Sequence, residues 1–308
     1  MVFAALASSV ASSQTNPAKA SGAKGAHERP RAVQPAVAKD CGNGVMLRLT
    51  APAALQGGLL EASIGGATIS DLKGEWAGKE VPFWAGTKNE EHALLGIDLE
   101  RAPGKYDLSI SGQLAGGDAL TCSATIDVRA GKFAIESLKV APGFVELSPE
   151  DRARADKEGE RVHAIFARVT PERLWTGAFR FPLTGNRSGH NFGKRRVLNG
   201  KASAPHTGLD IPAPPGTPIH ASQSGRVVLA ENLFFSGNTV IVDHGLGVYT
   251  FYGHMRSIRV AEGDEVKAGA ILGEVGATGR ATGPHLHWSL LVNGARVNPL
   301  GIVKLRLQ

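Results

Sequence analysis

Short runs in which apolar and other side chains alternate, separated by glycine turns, fill much of the first half of this sequence. The alternating positions are Val45, Leu47 and Leu49; Tyr106, Leu108 and Ile110; and Leu120, Cys122, Ala124, Ile126 and Val128. Successive side chains of a strand point to opposite faces, so a period of two puts each set on one face. Residues 41–130 are therefore predicted to form a small β-sandwich.

The sequence before this region has no apolar period. Residues 1–40 are rich in Ala, Pro, Lys, Ser and Gly, and such a segment cannot offset the entropy lost on ordering. Met1 to Ser13 are small and apolar like the end of a secretory signal, but the basic start of such a signal is missing. We predict that residues 1–40 are a disordered tail or a signal remnant.

A helix signal marks the connection to the second half of the chain. Ser148 is an N-cap residue, Pro149 suits the first helical position, and Asp151 lies three residues after the cap. A charged helix is expected to run to about Val169, interrupted by Gly159. Residues 131–180 are thus predicted to be a linker with a helix, and residues 181–308 to be an antiparallel β-sheet domain.

The net charge bears on which partners the protein can bind, and the cysteine content leaves the presence of a disulfide open. The net charge of +6 and the pI near 9.4 indicate a polyanionic partner or merely a solvated basic surface. No nucleic-acid motif accompanies the charge, so no nucleic-acid partner is predicted. The sequence has no apolar run of about 18 residues, the length that a transmembrane span needs, so no such span is predicted. Cys41 and Cys122 could form a disulfide in an oxidising compartment or remain buried free thiols.

Four of the ten histidines fall in three short segments near the C-terminus. His206 and Asp210 are four residues apart, His254 follows in a Tyr-Gly-His segment, and His285 and His287 are two apart on a predicted strand. Histidines two apart on a strand project to the same face. Two histidines and one carboxylate form a typical ligand set of a catalytic zinc, with a fourth position left for water. The joint pattern therefore predicts a metal site.

The segment from about residue 192 to residue 299 closely resembles the lysostaphin-type zinc peptidases. The two motifs that carry the resemblance read PHTGLDI and TGPHLHW in this sequence. The resemblance implies that His206, Asp210 and His287 bind one Zn²⁺ per chain. It implies that His254 and His285 are catalytic, and which of the two is the base stays open. The preceding β domain resembles the accessory domains of proteobacterial members more loosely.

This family resemblance implies a function and a location. The expected activity is that of a zinc metalloendopeptidase, a D,D-endopeptidase that hydrolyses peptide cross-links of peptidoglycan, with peptide stems as its substrate. The expected location is periplasmic or secreted. Alternatives are a non-catalytic wall-binding activator of other hydrolases and a peptidase of secreted proteins. A regulatory protein partner stays open. The first domain is expected either to position the enzyme on the wall or on a partner, or, as we hypothesise, to restrain the peptidase.

Overall fold

The computed structural model describes residues 37–87, 89–138, 147–185, 188–198, 200–202, 204–305 and residue 307. Most of the predicted tail, residues 1–36, lies outside the described residues. Its last four residues correct the prediction, because Val37–Asp40 form strand β1 and pair antiparallel with residues 46–49. The chain is mainly β, as the sequence predicted.

Ten strands of the first half form two five-stranded sheets. In chain order they are β1 (Val37–Asp40), β2 (Met46–Leu49), β3 (Ala53–Leu55), β4 (Leu59–Gly65), β5 (Ile69–Trp76), β6 (Lys79–Glu80), β7 (Trp84–Ala85), β8 (Glu90–Gly96), β9 (Gly104–Leu114) and β10 (Ala119–Arg129). One sheet has the order β1-β2-β4-β8-β7 and the other has the order β3-β10-β9-β5-β6. This arrangement is the predicted sandwich.

The core of the sandwich uses the alternating residues that the sequence singled out. All five alternating positions of β10, from Leu120 to Val128, are buried, and residues of both sheets share one hydrophobic cluster. A disulfide joins Cys41, which follows β1, to Cys122 in β10, with Cα atoms 5.4 Å apart. The bridge therefore links the two sheets covalently. The two cysteines form a disulfide and are not free thiols, which the sequence alone had left open.

The connecting segment contains strand β11 (Ile135–Leu138) and helix α1 (Pro149–Phe166). The Ser148 side chain accepts a hydrogen bond from the Asp151 N–H at 3.1 Å, as predicted for an N-cap. The helix ends at Phe166, three residues before the predicted Val169, where the Arg168 N–H bonds to the Ile165 carbonyl three residues back at 3.2 Å and ends the four-residue pattern. It also continues through Gly159, since a single glycine costs a helix only about 1 kcal/mol and the residues around it pack on the following sheet.

The second half is built on a nine-stranded antiparallel sheet. After β12 (Arg195–Leu198) and β13 (Lys201–Ala202), its strands are β14 (Gly208–Pro212), β15 (Pro218–His220), β16 (Gly225–Leu233), β17 (Gly237–Asp243), β18 (Val248–Ile258), β19 (Glu265–Val266), β20 (Ile271–Val275), β21 (His285–Val292) and β22 (Ala295–Val297), followed by helix α2 (Leu300–Lys304). The main order is β14-β21-β18-β17-β16-β19, while β20 pairs with β15 and β18, and β22 pairs with β21. Among the described residues, neither helix is long and apolar enough to cross a lipid bilayer.

The two faces of this sheet differ in what covers them. One face contributes Tyr252, Leu286 and Trp288 to the main core of the second half. On the other face, Tyr249 packs with Ile165 of α1 and with strands β16 and β17. Because strand residues alternate, His285 and His287 project to the same face of β21 as the residues that pack near α1. The helix therefore lies on the face that carries the candidate site.

The sandwich and the second sheet share an interface that centres on one ion pair. Arg296 in β22 donates to the Asp98 carboxylate through its backbone N–H at 2.9 Å, Nε at 3.0 Å and Nη2 at 2.6 Å. Nearby, the rings of Trp84 and Trp175 make an edge contact with centroids 5.6 Å apart. The predicted domain boundaries at residues 131 and 181 remain a prediction, because these contacts join the regions on either side.

We expect Asp98→Asn to lower the free energy of unfolding at pH 7 by about 1.5–3 kcal/mol, the range of hydrogen bonds to charged groups. Burial raises the pKa of Asp98, but the hydrogen bonds from Arg296 outweigh it and leave the folded-state pKa below the ordinary 3.8. The stabilisation is therefore fully present above the unfolded-state pKa and is lost as the pH falls through the lower folded-state pKa.

Chemical denaturation of parent and variant at pH 7 and at about pH 3 measures this difference. The difference in free energy of unfolding between parent and variant should be smaller at the lower pH. Asp118→Asn in an exposed turn is the matched control, expected to change stability by less than about 0.5 kcal/mol. A loss of the same size at both pH values would contradict the role of the carboxylate charge.

Candidate metal centre

Two antiparallel strands bring the candidate ligands together. In the register of β14 against β21, Asp210 lies directly opposite His287, and Pro212 lies opposite His285. His206 lies just before β14, and its backbone N–H bonds to the Lys194 carbonyl. The spacing of four residues between His206 and Asp210 therefore brings both side chains to the strand that carries the His-x-His pair.

Gly208 leaves the space in which His287 packs. A Cβ atom at position 208 would collide with Ser289 Oγ and would lie 2.7 Å from His287 Nε2. Any side chain here would push the histidine away from Asp210. The glycine in the middle of the His-x-x-x-Asp motif is thus required by close packing across the two strands.

The donor atoms of His206, Asp210 and His287 converge on one point. His206 Nε2 lies 3.1 Å from Asp210 Oδ1, and His287 Nδ1 lies 3.2 Å from the same oxygen. All three donor atoms lie within 4.8 Å of one another. Ligands held tetrahedrally at about 2.0–2.1 Å from Zn²⁺ are about 3.3 Å apart, so the spacing of these residues fits zinc.

Neighbouring groups orient each of the three candidate ligands. His206 Nδ1 donates to the Asn191 carbonyl at 3.1 Å, which leaves a lone pair on the inward Nε2. His287 Nε2 shares a hydrogen bond with Ser289 Oγ at 2.9 Å, and Asn191 Nδ2 donates to Asp210 Oδ2 at 3.1 Å. Such outer contacts commonly fix the tautomer and ring orientation of metal-binding histidines.

The electrostatics of the centre favour an ionised carboxylate beside a neutral His287 imidazole. Burial raises the pKa of Asp210, but the polar contacts with the neighbouring His206 and His287 rings outweigh burial and hold the pKa well below its usual range. Burial lowers the pKa of His287. A charged carboxylate and a neutral imidazole are the states in which these side chains bind metal ions.

His254 lies where β18 changes its partner strand. Up to Gly253 the strand pairs with β21, and from Met255 onward it pairs with β20. His254 has a φ of 60°, a left-handed conformation that is uncommon for residues with a Cβ and that clusters at functional sites. Its N–H donates to the Ser236 carbonyl at 2.7 Å. This backbone geometry directs the side chain out of the regular strand pattern.

His254 and His285 form a second pair beside the three candidate ligands. Their ring centroids are 4.7 Å apart, and His285 Nε2 lies 3.5 Å from Asp210 Oδ1. His254 Nδ1 donates to the Thr278 carbonyl and His285 Nδ1 to the Gly283 carbonyl, each at 2.8 Å. Both rings therefore carry the lone pair on Nε2. Burial lowers the pKa of His254 to about 4.

The structure brings all five predicted site residues into one cluster, and it adds residues that sequence reasoning missed. Asn191 and Ser289 contact the candidate ligands, and Thr278 holds His254. Ser289 has the same strand parity as His285 and His287, so the period-two pattern could have indicated it. Nothing local in the sequence marks Asn191, which reaches the site from a loop.

The remaining histidines of this half lie outside the cluster. His190 is exposed and meets Asp210 only through two backbone hydrogen bonds, of 3.2 and 3.0 Å. His220 bonds to the Gly269 carbonyl, and His244 is fully buried against Thr250. These contacts are structural.

This chain belongs to peptidase family M23, whose family model matches residues 204–299. That stretch contains all five clustered residues. A crystal structure of a Pseudomonas aeruginosa protein assigned to peptidase M23 is 30% identical, with a TM-score of 0.54. The match covers 78% of this chain and 93% of that chain, so it extends well beyond the second half. The predicted family resemblance is confirmed.

Two curated relatives are similar over shorter parts of their length. The peptidoglycan DD-endopeptidase ShyA of Vibrio cholerae is 34% identical over 210 residues, which are 67% of this chain and 44% of ShyA. The DD-carboxypeptidase/endopeptidase Mpg of Neisseria meningitidis is 44% identical over 97 residues, which are 32% of this chain and 22% of Mpg. The chain thus spans less than half the length of these relatives.

We expect His206→Ala to lose most of the bound metal and Ser289→Ala to weaken metal affinity by about 10–100-fold, the usual effect of removing an outer contact. The first change removes a donor atom, whereas the second removes only the group that orients His287. Metal analysis after dialysis and competition with a zinc chelator measure both. Ser111→Ala, on an exposed strand position of the sandwich, is the control. Full zinc retention by a folded His206→Ala protein would refute the ligand assignment.

Proposed function

We propose that this protein is a zinc-dependent endopeptidase that hydrolyses peptide cross-links of peptidoglycan as a D,D-endopeptidase. The observation that carries the proposal is the convergence of His206, Asp210 and His287 donor atoms within 4.8 Å. Membership of a peptidase family supports the reaction type, and the activities in the names of two curated relatives support the substrate class.

One Zn²⁺ per chain is the proposed cofactor, held by His206, Asp210 and His287. When bound, zinc supplies a Lewis acid that polarises a carbonyl group and makes water nucleophilic near neutral pH. The donor set of two imidazoles and one carboxylate is typical of catalytic zinc, because structural zinc sites are usually closed by four protein ligands. The two cysteines, a frequent alternative donor type, are tied up in the disulfide.

His254 and His285 are the proposed catalytic residues. Each donates through Nδ1 to a backbone carbonyl, so each has a lone pair on Nε2 that can accept a proton from the attacking water. The protonated ring can then donate to the oxyanion or to the leaving amine. The two rings lie 4.7 Å apart, close enough to act on one substrate. Which ring acts as the base stays open.

The proposed substrate is the peptide stem of peptidoglycan, and the proposed location is the periplasm or the cell exterior. A disulfide between Cys41 and Cys122 supports this location, because disulfides persist in oxidising compartments. An intact candidate ligand set favours an enzyme over a non-catalytic activator. The proposal includes no nucleic-acid partner, and it leaves a regulatory partner open.

We expect His254→Ala and His285→Ala to keep bound zinc but to lose about 10²–10⁴-fold in turnover, the usual contribution of a general acid or base. Each change removes a proton-transfer group and leaves His206, Asp210 and His287 in place. Turnover on a soluble cross-linked muropeptide, together with zinc content, measures the division of roles. His220→Ala, outside the cluster, serves as the control. A variant with normal turnover, or one emptied of zinc, would contradict the assignment.

Digestion of purified peptidoglycan sacculi tests the function itself. The zinc-loaded protein should convert cross-linked fragments to uncross-linked ones that mass spectrometry identifies, and the His206→Ala protein should release none. Binding to sacculi without cleavage would reject the enzyme and favour a wall-binding activator. Cleavage of unfolded protein substrates but not of sacculi would favour a peptidase of secreted proteins.

A further inference from the structure

A cleft of about 700 Å³ extends from the candidate metal centre towards the sandwich. It begins at His287 and Ser289, crosses Phe251 and Leu291 on the sheet, and ends at Arg296 and Lys79. Its volume falls in the range of about 300–1,000 Å³ that is usual for ligand sites. The cleft meets the candidate metal centre at His287 and is large enough to hold part of a peptide that is bound there.

Helix α1 is the fixed wall of this cleft. Its residues Gly159 and His163 line the cleft, while Ile165 on the same helix is buried against the sheet. Arg161 holds the helix through Glu231 at 2.5 Å and Glu262 at 2.8 Å. These contacts join α1 to the second half, so this wall of the cleft is attached to the half that carries the candidate ligands.

The charges at the far end of the cleft are those of Lys79, Arg296 and Asp98. Arg296 pairs with the Asp98 carboxylate at 2.6 Å and with the neighbouring Glu100 carboxylate at 2.9 Å, so its charge is already matched. Lys79 is exposed, donates from Nζ to the Asn293 carbonyl at 3.0 Å, and takes part in none of the ion pairs found in the described part of the chain. Its charge is therefore available to a ligand in the cleft.

We propose that Lys79, which comes from the sandwich, is a specificity-determining residue that binds a free carboxylate of the peptide substrate at the far end of the cleft. This inference rests on the proposed function and adds a contact to it. Asn293, the partner of Lys79, follows His287 by six residues, which corresponds to about 20 Å along a strand. Lys79 thus contacts the substrate far from the reacting bond, so it contributes to binding and leaves the chemical step unchanged.

The full-length zinc-loaded protein with Lys79→Ala or Lys79→Glu tests the subsite. The substrates are a soluble cross-linked muropeptide with free carboxylates and the same muropeptide with its carboxylates amidated. We expect KM for the acidic substrate to rise about threefold in Lys79→Ala and about tenfold in Lys79→Glu, as for the loss and reversal of one solvent-exposed ion pair. Turnover and zinc content should not change, and the amidated substrate should show no difference.

Lys73→Glu is the control, since Lys73 is an exposed lysine of the neighbouring strand β5 and does not line the cleft. An unchanged KM in Lys79→Glu, or an equal rise for the amidated muropeptide, overturns the subsite. If the parent protein cleaves neither substrate, the proposed function fails, and the same comparison is made on binding of the two muropeptides. If Lys79→Glu then leaves the dissociation constant of the acidic muropeptide unchanged, the proposed subsite is overturned independently of the proposed function.

Discussion

The register of β14 against β21 is the constraint on which the candidate site depends. It sets Asp210 opposite His287, and it leaves the carboxylate within 3.5 Å of three imidazoles. A slip of one residue would send His287 to the core face and Trp288 to the open face. The buried Trp288 and the close packing over Gly208 both resist that slip. Core packing and site geometry are thus secured by the same strand pair.

Both halves of the chain contribute to the region around the centre. The second half carries the five clustered residues, α1 lies on the same face of its sheet, and the sandwich reaches the end of the cleft through Lys79 and Asp98. The ion pair of Asp98 with Arg296 holds the sandwich against the second sheet at this end of the cleft. A protein assembled in this way can vary its substrate contacts in one half without disturbing the ligands in the other. Restraint of the peptidase by the first domain remains a prediction.

Local patterns predicted much of this structure, and distant pairing explains the rest. The alternation from Leu120 to Val128 predicted a strand with one buried face, and Ser148 predicted the helix start. The spacing of His285 and His287 depends only on the strand period, so it was visible in the sequence. In contrast, Asn191 lies 19 residues from Asp210, and Lys79 lies 214 residues from Asn293. Contacts of this kind follow from how the sheets meet, which no local pattern encodes.

The disulfide gives the first half a particular response to mechanical force. Only Val37–Asp40 of the described chain lie before Cys41, and Cys122 is held inside β10 between β3 and β9. Tension applied to the chain ahead of β1 can peel away these four residues and then reaches the covalent bridge. From there the load passes into β10 of the opposite sheet, which is hydrogen-bonded on both sides, to β3 and to β9. The sandwich therefore resists unzipping from its N-terminal edge.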